Sequence, residues 1–576
     1  MAHHADSVGE PSAVEGLNRR DFLSYFSGIG LSGTLLPGVL WARFQEHRQL
    51  TAEVLAEAEK VAGLEFTEEQ REEMVRGLNG NLRQYQALRE LTIPNEVPPA
   101  LHFDPMLPHM PVPSLARPPR PSRVPSIQLP GDLEDVAFWP LLHLAELVKS
   151  RQVTAEALTR MYLGRLKRHG PDLECVINLT EERALRQARR ADEEIVAGRY
   201  RGPLHGIPWG AKDLLAVRGY PTTWGARPYQ DQVIHADAEV VKRLDEAGAI
   251  LVAKLTLGAL AMGDVWFGGR TRNPWDLEQG SSGSSAGSAA ATVAGLVGFS
   301  IGSETLGSIV SPATRCGATG LRPTFGRVSR AGAMALSWSM DKLGPLCRTV
   351  EDCALVLDAI HGADGLDPTA RTLPFNWDAH EPLSEIRIGY YRRAFQEGDS
   401  RTRDLDLLAL EALRGLGVDP VPVDLPGEFP VGALRIILNA ESAAAFDDLT
   451  RSGRDSLLVR QDPGAWPNSF RQARMIPAVE FIQANRIRTM IMGAMDVAME
   501  GVDVFITPSH WGNLLLITNL TGHPVVVVPS ELDEENRPAS ISFVGRLWGE
   551  AHALRVAKAW QDATGHHLKH PPLFAG

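Results

Sequence analysis

The sequence predicts an α/β fold with a mixed central sheet that is covered by helices on both faces. Short, mainly apolar segments the length of one strand recur at 249–255, 386–391, 503–508 and 523–530. Helical segments lie between them, and this alternation is typical of a sheet that is buried on both faces. No boundary divides residues 131–576, so we expect one main domain there.

An extension is predicted before the main domain, over residues 46–130. Residues 51–91 have a helical pattern, and Thr67 with Gln70 forms a capping-box signature ahead of a charged helix. Residues 94–130 are dense in proline, which favours an extended arm. We therefore expect a helical pair followed by an arm that wraps on the main domain.

The first 45 residues resemble a twin-arginine export signal. Arg19 and Arg20 are followed by Phe22 and Leu23, and then by a Gly- and Ser-rich apolar run. This predicts a periplasmic or other extracytoplasmic protein without stable membrane insertion once the signal is removed. A cytoplasmic protein with an N-terminal surface helix, and an uncleaved anchor, remain alternatives.

Within the main domain, Thr154 is expected to cap a helix, and a second helix is expected over 181–198. Residues 289–297, "AAATVAGLV", predict a buried helix inside a region that is otherwise rich in Gly and Ser.

Charge and cysteine content limit the function. The net charge of -12, without a long basic run, argues against nucleic-acid binding. Four cysteines without C-x-x-C spacing, and the lack of zinc-protease, P-loop and EF-hand motifs, predict no metal and no cofactor. A Cys347–Cys353 disulfide is left open.

Two isolated serine motifs are weak candidates for a nucleophile. Gly283 to Gly287 match G-x-S-x-G around Ser285, but the residues before them do not resemble the buried strand that this motif requires. Ser339 and Lys342 match S-x-x-K, but the partner motifs S-D-N and K-T-G are absent from the sequence. We expect Lys342 to be a surface residue.

Ser308 is a stronger candidate because it ends the tight run "SETLGS". Consecutive backbone N–H groups there can converge on one point and stabilise an oxyanion. A serine hydroxyl needs a base, and Lys212 follows the apolar segment "GPLHGIPWGA". Burial lowers a lysine pKa by up to roughly 3–5 units, which would make the amine a usable base near neutral pH.

Several ordered motifs together resemble the amidase signature family. They are "GPLHGIPWGAKD", "SGSSAGSAAA", "GSETLGSIVSPA", "GLRPTFGRVS" and "DKLGPLCRTVED", and the match is dense over 144–362 and resumes near 507. The resemblance implies the amidase signature fold. It also implies that Ser308 is the nucleophile, that Ser284 is a bridging serine after a cis peptide bond, and that Lys212 is the base. The implied oxyanion hole consists of the N–H groups of Thr305, Leu306, Gly307 and Ser308.

The activity implied by the resemblance is hydrolysis of linear amides through an acyl-enzyme, on a small-molecule substrate, by a monomer or homodimer. Carbamate or ester cleavage by the same acyl-enzyme is one alternative. Another is the A-type subunit of a glutamine-dependent amidotransferase, which would require partner subunits. A third is a non-catalytic binding module.

The sequence departs from the family pattern at two positions. Leu306 stands where the family usually has glycine, and this substitution would be costly if the backbone there were left-handed. Val310 stands where many members have arginine, which argues against an acidic substrate group at that place. The segment 508–518 is also short, and its Trp511 and Leu514 to Leu516 predict either a pocket wall or a buried core patch.

Overall fold

The computed structural model describes residues 50–91, 101–124, 126–398 and 402–575. Its strands, numbered β1 to β15 in chain order, are Val176–Leu179, Pro208–Lys212, Ile250–Leu255, Val265–Trp266, Gly269–Arg270, Arg272–Asn273, Asp276–Gly280, Phe299–Glu304, Thr319–Arg322, Lys342–Cys347, Ile388–Tyr391, Val421–Val423, Val504–Pro508, Val525–Leu532 and Pro538–Gly545.

The α-helices of the described residues are numbered α1 to α17 in the same way. They are Ala52–Ala62, Glu68–Arg89, Leu141–Lys149, Ala155–Leu173, Glu181–Val196, Glu239–Glu246, Ala286–Val293, Val310–Cys316, Val350–Ile360, Arg392–Glu397, Arg403–Gly415, Arg435–Ala445, Asp447–Arg451, Trp466–Ala473, Ala478–Ala498, Leu514–Thr521 and Glu550–Thr564.

A mixed sheet of eleven strands forms the centre of the described structure, in the order β1-β3-β2-β8-β10-β9-β14-β15-β13-β11-β12. β2 is parallel to both β3 and β8, whereas β8 and β10 are antiparallel. Every residue of β2, β3 and β8 is buried, as expected for strands with helices on both faces. The predicted α/β fold with a mixed, covered sheet is therefore confirmed.

Local patterns explain several helices that the sequence predicts. The Thr154 hydroxyl accepts a hydrogen bond from Ala157 N and so caps α4 at its start. The buried helix predicted at 289–297 is α7, but it begins at Ala286 and ends at Val293. The predicted helix ends too late because the apolar pattern continues through the turn that joins α7 to β8.

The extension packs on the main domain. Thr67 and Gln70 form the predicted capping box of α2, and Glu73 of this helix accepts a hydrogen bond from Arg471 at 3.2 Å. The proline-rich arm runs along the surface, where Arg120 exchanges backbone hydrogen bonds with Trp377 and Ala379. The described part of the arm is therefore bound to the main domain and is not a free linker.

Other predictions concern the termini, membranes and disulfides. The predicted twin-arginine segment, residues 1–45, lies outside the described residues. Within the described ranges, no helix is both long enough and apolar enough to cross a bilayer. The four cysteines are buried free thiols, so the structure contains no Cys347–Cys353 bridge.

Candidate active site

Lys212 ends β2 and is completely buried. Its Nζ atom lies 2.9 Å from Ser284 Oγ, 3.0 Å from Ser285 Oγ and 2.9 Å from Ser303 Oγ. Burial lowers the pKa of Lys212 well below its ordinary value, although the negative charges of Asp341 and Glu304 oppose the shift. A lysine amine held in this way can accept a proton near neutral pH.

The turn before α7 places Ser284 beside this amine. The peptide bond between Gly283 and Ser284 is cis, as the family resemblance implies. A side chain at Gly283 would place its Cβ 1.9 Å from the carbonyl oxygen of Gly263, so only glycine fits there. The close backbone contact therefore fixes the position of the Ser284 hydroxyl.

Ser285 and Ser303 complete the surroundings of the amine. Ser285 Oγ donates to the carbonyl oxygen of Ser303 at 3.0 Å and accepts from Ser303 N at 3.1 Å. Because its only proton is used in this bond, Ser285 accepts from Lys212. The G-x-S-x-G hypothesis fails structurally, since the preceding strand β7 pairs only with β6 and is not part of the central sheet. Sequence reasoning did not identify Ser303 as a partner of Lys212, although this serine begins the run "SETLGS".

The loop between β8 and α8 presents Ser308. Gly307 is left-handed, with φ of +82°, whereas Leu306 is not left-handed, so the predicted cost at Leu306 does not arise. In the described part of the chain, the N–H groups of residues 305–308 donate no hydrogen bond. They are available to an oxyanion. Ser308 is 8% exposed, and its Oγ forms no hydrogen bond with Ser284 in this structure.

Glu304 binds the backbone at the end of this loop. Its Oε2 accepts from Ile309 N at 2.8 Å and from Val310 N at 3.0 Å, and its Oε1 accepts from Arg322 at 2.7 Å and Asn519 at 2.8 Å. Burial alone would raise the pKa of Glu304, but the Arg322 charge and these hydrogen bonds lower it to about 2. The charged carboxylate therefore holds the loop that carries Ser308 against the sheet.

Asp341 holds the other side of the same loop. It accepts hydrogen bonds from the Thr305 hydroxyl at 2.5 Å, from Leu336 N at 2.8 Å and from Ser337 N at 2.9 Å. Burial raises the pKa of Asp341, and these donors oppose the rise. Asp341 begins the motif "DKLGPLCRTVED", but the sequence does not predict its contact with Thr305.

The expectation that Lys342 is a surface residue is wrong. Lys342 begins β10 in the interior of the central sheet, where it is 2% exposed and donates to the carbonyl oxygen of Met340. The nearby Ser339 hydroxyl donates to Glu441 at 2.7 Å and accepts from Arg488 at 2.8 Å. Ser339 is therefore held by these two residues, and the described contacts do not join it to Lys342.

A cavity of about 660 Å³ adjoins the loop. Ser303, Thr305 and Asp341 belong to its polar lining, which also includes His102, Arg330, Ser339, Asp367, Thr369 and Glu441, and the rest of the lining is apolar. Val310, Leu514 and Leu516 lie instead in the hydrophobic core, while Trp511 packs against that core from outside. Among the described residues, no group of His, Cys, Asp and Glu side chains could hold a metal ion.

This arrangement joins a buried amine whose pKa is lowered, serine hydroxyls and free backbone N–H groups, which are the components that acyl transfer from an amide requires. The Amidase family model matches residues 157–554. The chain belongs to the amidase family, whose enzymes act on carbon–nitrogen bonds.

Known proteins similar to this chain include A-type subunits of glutamyl-tRNA(Gln) amidotransferase. The one from Moorella thermoacetica is 31% identical over 75% of this chain and 97% of its own length, and one from a Synechococcus species is 34% identical over 75% and 93%. The solved peptide amidase of Stenotrophomonas maltophilia is 29% identical over 77% of this chain and 99% of its own, with a TM-score of 0.67.

Proposed function

We propose that this protein cleaves an amide C–N bond through an acyl-enzyme on Ser308, with Lys212 as base and Ser284 as bridge. We further propose residues 131–576 as the catalytic domain and residues 46–130 as its extension. The observation that carries the proposal is the 2.9 Å contact between the buried Lys212 amine and the Ser284 hydroxyl. The Amidase match supports it.

In the first step, Lys212 Nζ takes the proton of Ser284 Oγ, which takes the proton of Ser308 Oγ as this oxygen attacks the carbonyl carbon. Ser285 and Ser303 receive the remaining N–H bonds of the amine and leave its lone pair for Ser284. The reverse transfer protonates the nitrogen as the C–N bond breaks. The contact between Ser284 and Ser308 would form when substrate binds, since catalytic hydrogen bonds often tighten then.

The N–H groups of Thr305, Leu306, Gly307 and Ser308 would bind the oxyanion. Their lack of acceptors within the described residues supports this role. The carboxylates of Glu304 and Asp341 fix the two ends of the loop, so the donors need little rearrangement during the reaction.

The leaving group and its fate separate two candidates. A hydrolase releases the amine or ammonia to solvent, and carbamates or esters would react by the same steps. An amidotransferase subunit passes ammonia from glutamine to a second reaction on a partner. The names of the curated relatives favour the second candidate.

One observation favours the hydrolase. The cavity wall contains the carboxylates of Asp341, Asp367 and Glu441 but one arginine, Arg330, which pairs with Asp367. Such a wall repels the carboxylate of free glutamine and suits an uncharged amide.

The test is labelling with a fluorophosphonate that reacts with activated serines, followed by peptide mapping. We expect the label on Ser308, its loss in Ser308→Ala, and a strong reduction in Lys212→Met and Ser284→Ala. Ser456→Ala, at an exposed serine that does not line the cavity, is the matched control and should label normally. A label on Ser285 or Ser339, or none at all, would overturn the assignment.

Purification of the tagged protein from its own host separates the two candidates. The hydrolase candidate predicts a chain that is active alone on simple amides. Copurification with further subunits, together with ammonia release from glutamine, would establish the amidotransferase role instead.

A further inference from the structure

The proline-rich arm forms part of the wall of the cavity beside the nucleophile loop. Three consecutive arm residues, Leu101, His102 and Phe103, line the same cavity of about 660 Å³ that Ser303 and Thr305 line. The Amidase match begins only at residue 157. This wall is therefore contributed by a segment outside the family-matched region.

Phe103 anchors the arm at this point. It is 3% exposed, its ring centre lies 4.8 Å from that of Phe325, and the Arg488 guanidinium lies 3.5 Å from the ring centre. Gly522 permits this close approach, because a Cβ there would lie 2.9 Å from Cβ of Pro105. The arm is consequently held against the domain where it meets the cavity.

Arg488 connects this anchor to the opposite part of the cavity. It donates to Ser339 Oγ at 2.8 Å and to the Ser339 carbonyl oxygen at 2.7 Å, and Ser339 itself lines the cavity. One buried guanidinium therefore fixes both Phe103 and the Ser339 turn. The arm has a defined position relative to the nucleophile loop.

The cavity lining near the arm is largely apolar, although the exposed His102 and a few charged side chains also belong to it. Leu101 remains 53% exposed, and aliphatic and aromatic side chains dominate the rest of the lining, namely Leu214, Met334, Leu336, Trp338 and Phe481. A bulky apolar substituent that entered the cavity from the nucleophile loop would bury this surface, which favours binding.

We propose that the arm segment from Leu101 to Phe103 determines specificity by placing the Leu101 side chain against a bulky apolar group of the amide substrate. The inference rests on the proposed function. Leu101 is the contact residue, and Phe103 positions the segment through Phe325 and Arg488. The extension thus selects for substrate size, whereas the family-matched domain performs the chemistry.

The test compares labelling rates for two fluorophosphonates, one with a methyl group and one with a phenylbutyl group. Leu101→Ala should lower the ratio of the phenylbutyl rate to the methyl rate roughly tenfold, as loss of a pocket contact does. Leu115→Ala is the matched control, since Leu115 also lies on the arm, is 65% exposed and does not line the cavity.

The methyl probe reports separately whether Ser308 is intact in each variant. An unchanged ratio in Leu101→Ala, with Ser308 labelled normally, would overturn the role of the arm and leave the proposed function standing. A ratio that falls equally in Leu115→Ala would overturn it too. Failure of both probes to label Ser308 in the unmodified protein would remove the proposed function and this inference with it.

Discussion

Lys212 Nζ lies 2.9 Å from Ser284 Oγ, and no carboxylate in the described part of the chain forms an ion pair with this amine. Hydroxyls surround it instead, including those of Ser285 and Ser303. A buried amine without a counter-ion favours its neutral form, because desolvation penalises the charge. This geometry supports the role of general base that we propose for Lys212.

The first prediction concerns pH. Because the relay requires neutral Lys212 and burial lowers its pKa from 10.5, kcat/KM should rise with pH and level off well below pH 10.5. The measurement is a pH profile on a reactive amide. Lys342→Met is the matched control, a second buried lysine whose loss should leave the position of the acid limb unchanged. A limb centred near 10.5 would contradict the assignment.

Much of the fold was predictable, because its signals are local. Buried strands appear as apolar segments, and Thr67 and Thr154 mark helix starts through capping chemistry. The candidate site residues were predicted from several ordered motifs, which together are more specific than any single serine motif. Lys212 and Ser303 nevertheless meet through the pairing of β2 with β8, and Ser284 joins them from the turn before α7, which sequence spacing does not encode.

The failures concern residues whose role depends on distant partners. Lys342 was expected at the surface because an isolated lysine is usually exposed, yet it lies within the sheet. The contact of Asp341 with Thr305 and that of Phe103 with Arg488 join segments far apart in the chain. No local pattern predicts such contacts, since packing decides them.

The second prediction concerns the oxyanion loop. Gly307→Ala places a side chain on a left-handed residue, at about 1–2 kcal/mol, and brings its Cβ 2.9 Å from Ser311 Oγ. We expect the Ser308 labelling rate to fall about tenfold or more. Leu306→Ala is the control, because it keeps the backbone N–H and removes only packing. We expect it to lower the thermal midpoint and to leave the labelling rate nearly unchanged. Equal loss of rate in both variants would contradict the left-handed requirement at Gly307.

The third prediction concerns the buried pair of Glu304 and Arg322, joined at 2.7 Å with both side chains fully buried. Arg322→Met leaves the Glu304 charge unpaired and should lower the free energy of unfolding by about 3–5 kcal/mol, measured in urea at pH 7. The control, Arg387→Met, breaks a pair whose arginine side chain is 54% exposed and should cost no more than about 1 kcal/mol.

The same pair has a defined pH dependence. Because the pKa of Glu304 falls from 4.5 to about 2 on folding, its stabilisation is fully present above pH 4.5 and is lost as the pH falls towards 2. Arg322→Met should flatten this part of the stability profile. An unchanged slope between these pH values would show that Glu304 does not depend on Arg322.

The fourth prediction concerns location. If residues 1–45 act as a twin-arginine signal, Arg19→Lys with Arg20→Lys should leave the protein inside the cell, as measured by fractionation of the host. Arg43→Lys with Arg48→Lys is the matched control and should not change the distribution. A protein that stays in the cytoplasm without any substitution would contradict the export signal and fit an amidotransferase role better.

The fifth prediction concerns the thiols of Cys175, Cys316, Cys347 and Cys353, which are all buried and free. Burial raises the pKa of Cys175 to about 12, which suppresses the reactive thiolate, and it raises the pKa of Cys316 and Cys347 as well. Ellman's reagent should therefore react slowly with the folded protein and release four equivalents after unfolding without reductant.

Two equivalents would instead reveal a disulfide formed in an oxidising compartment, and Cys353→Ser would identify it. With a Cys347–Cys353 bridge in the parent, this variant would release three thiols, because Cys347 becomes free while Cys175 and Cys316 remain. With free thiols throughout, the variant also releases three, but the parent releases four. The number of thiols released by the unmodified protein is thus the decisive measurement. If an exported protein keeps four free thiols, burial alone protects them from oxidation.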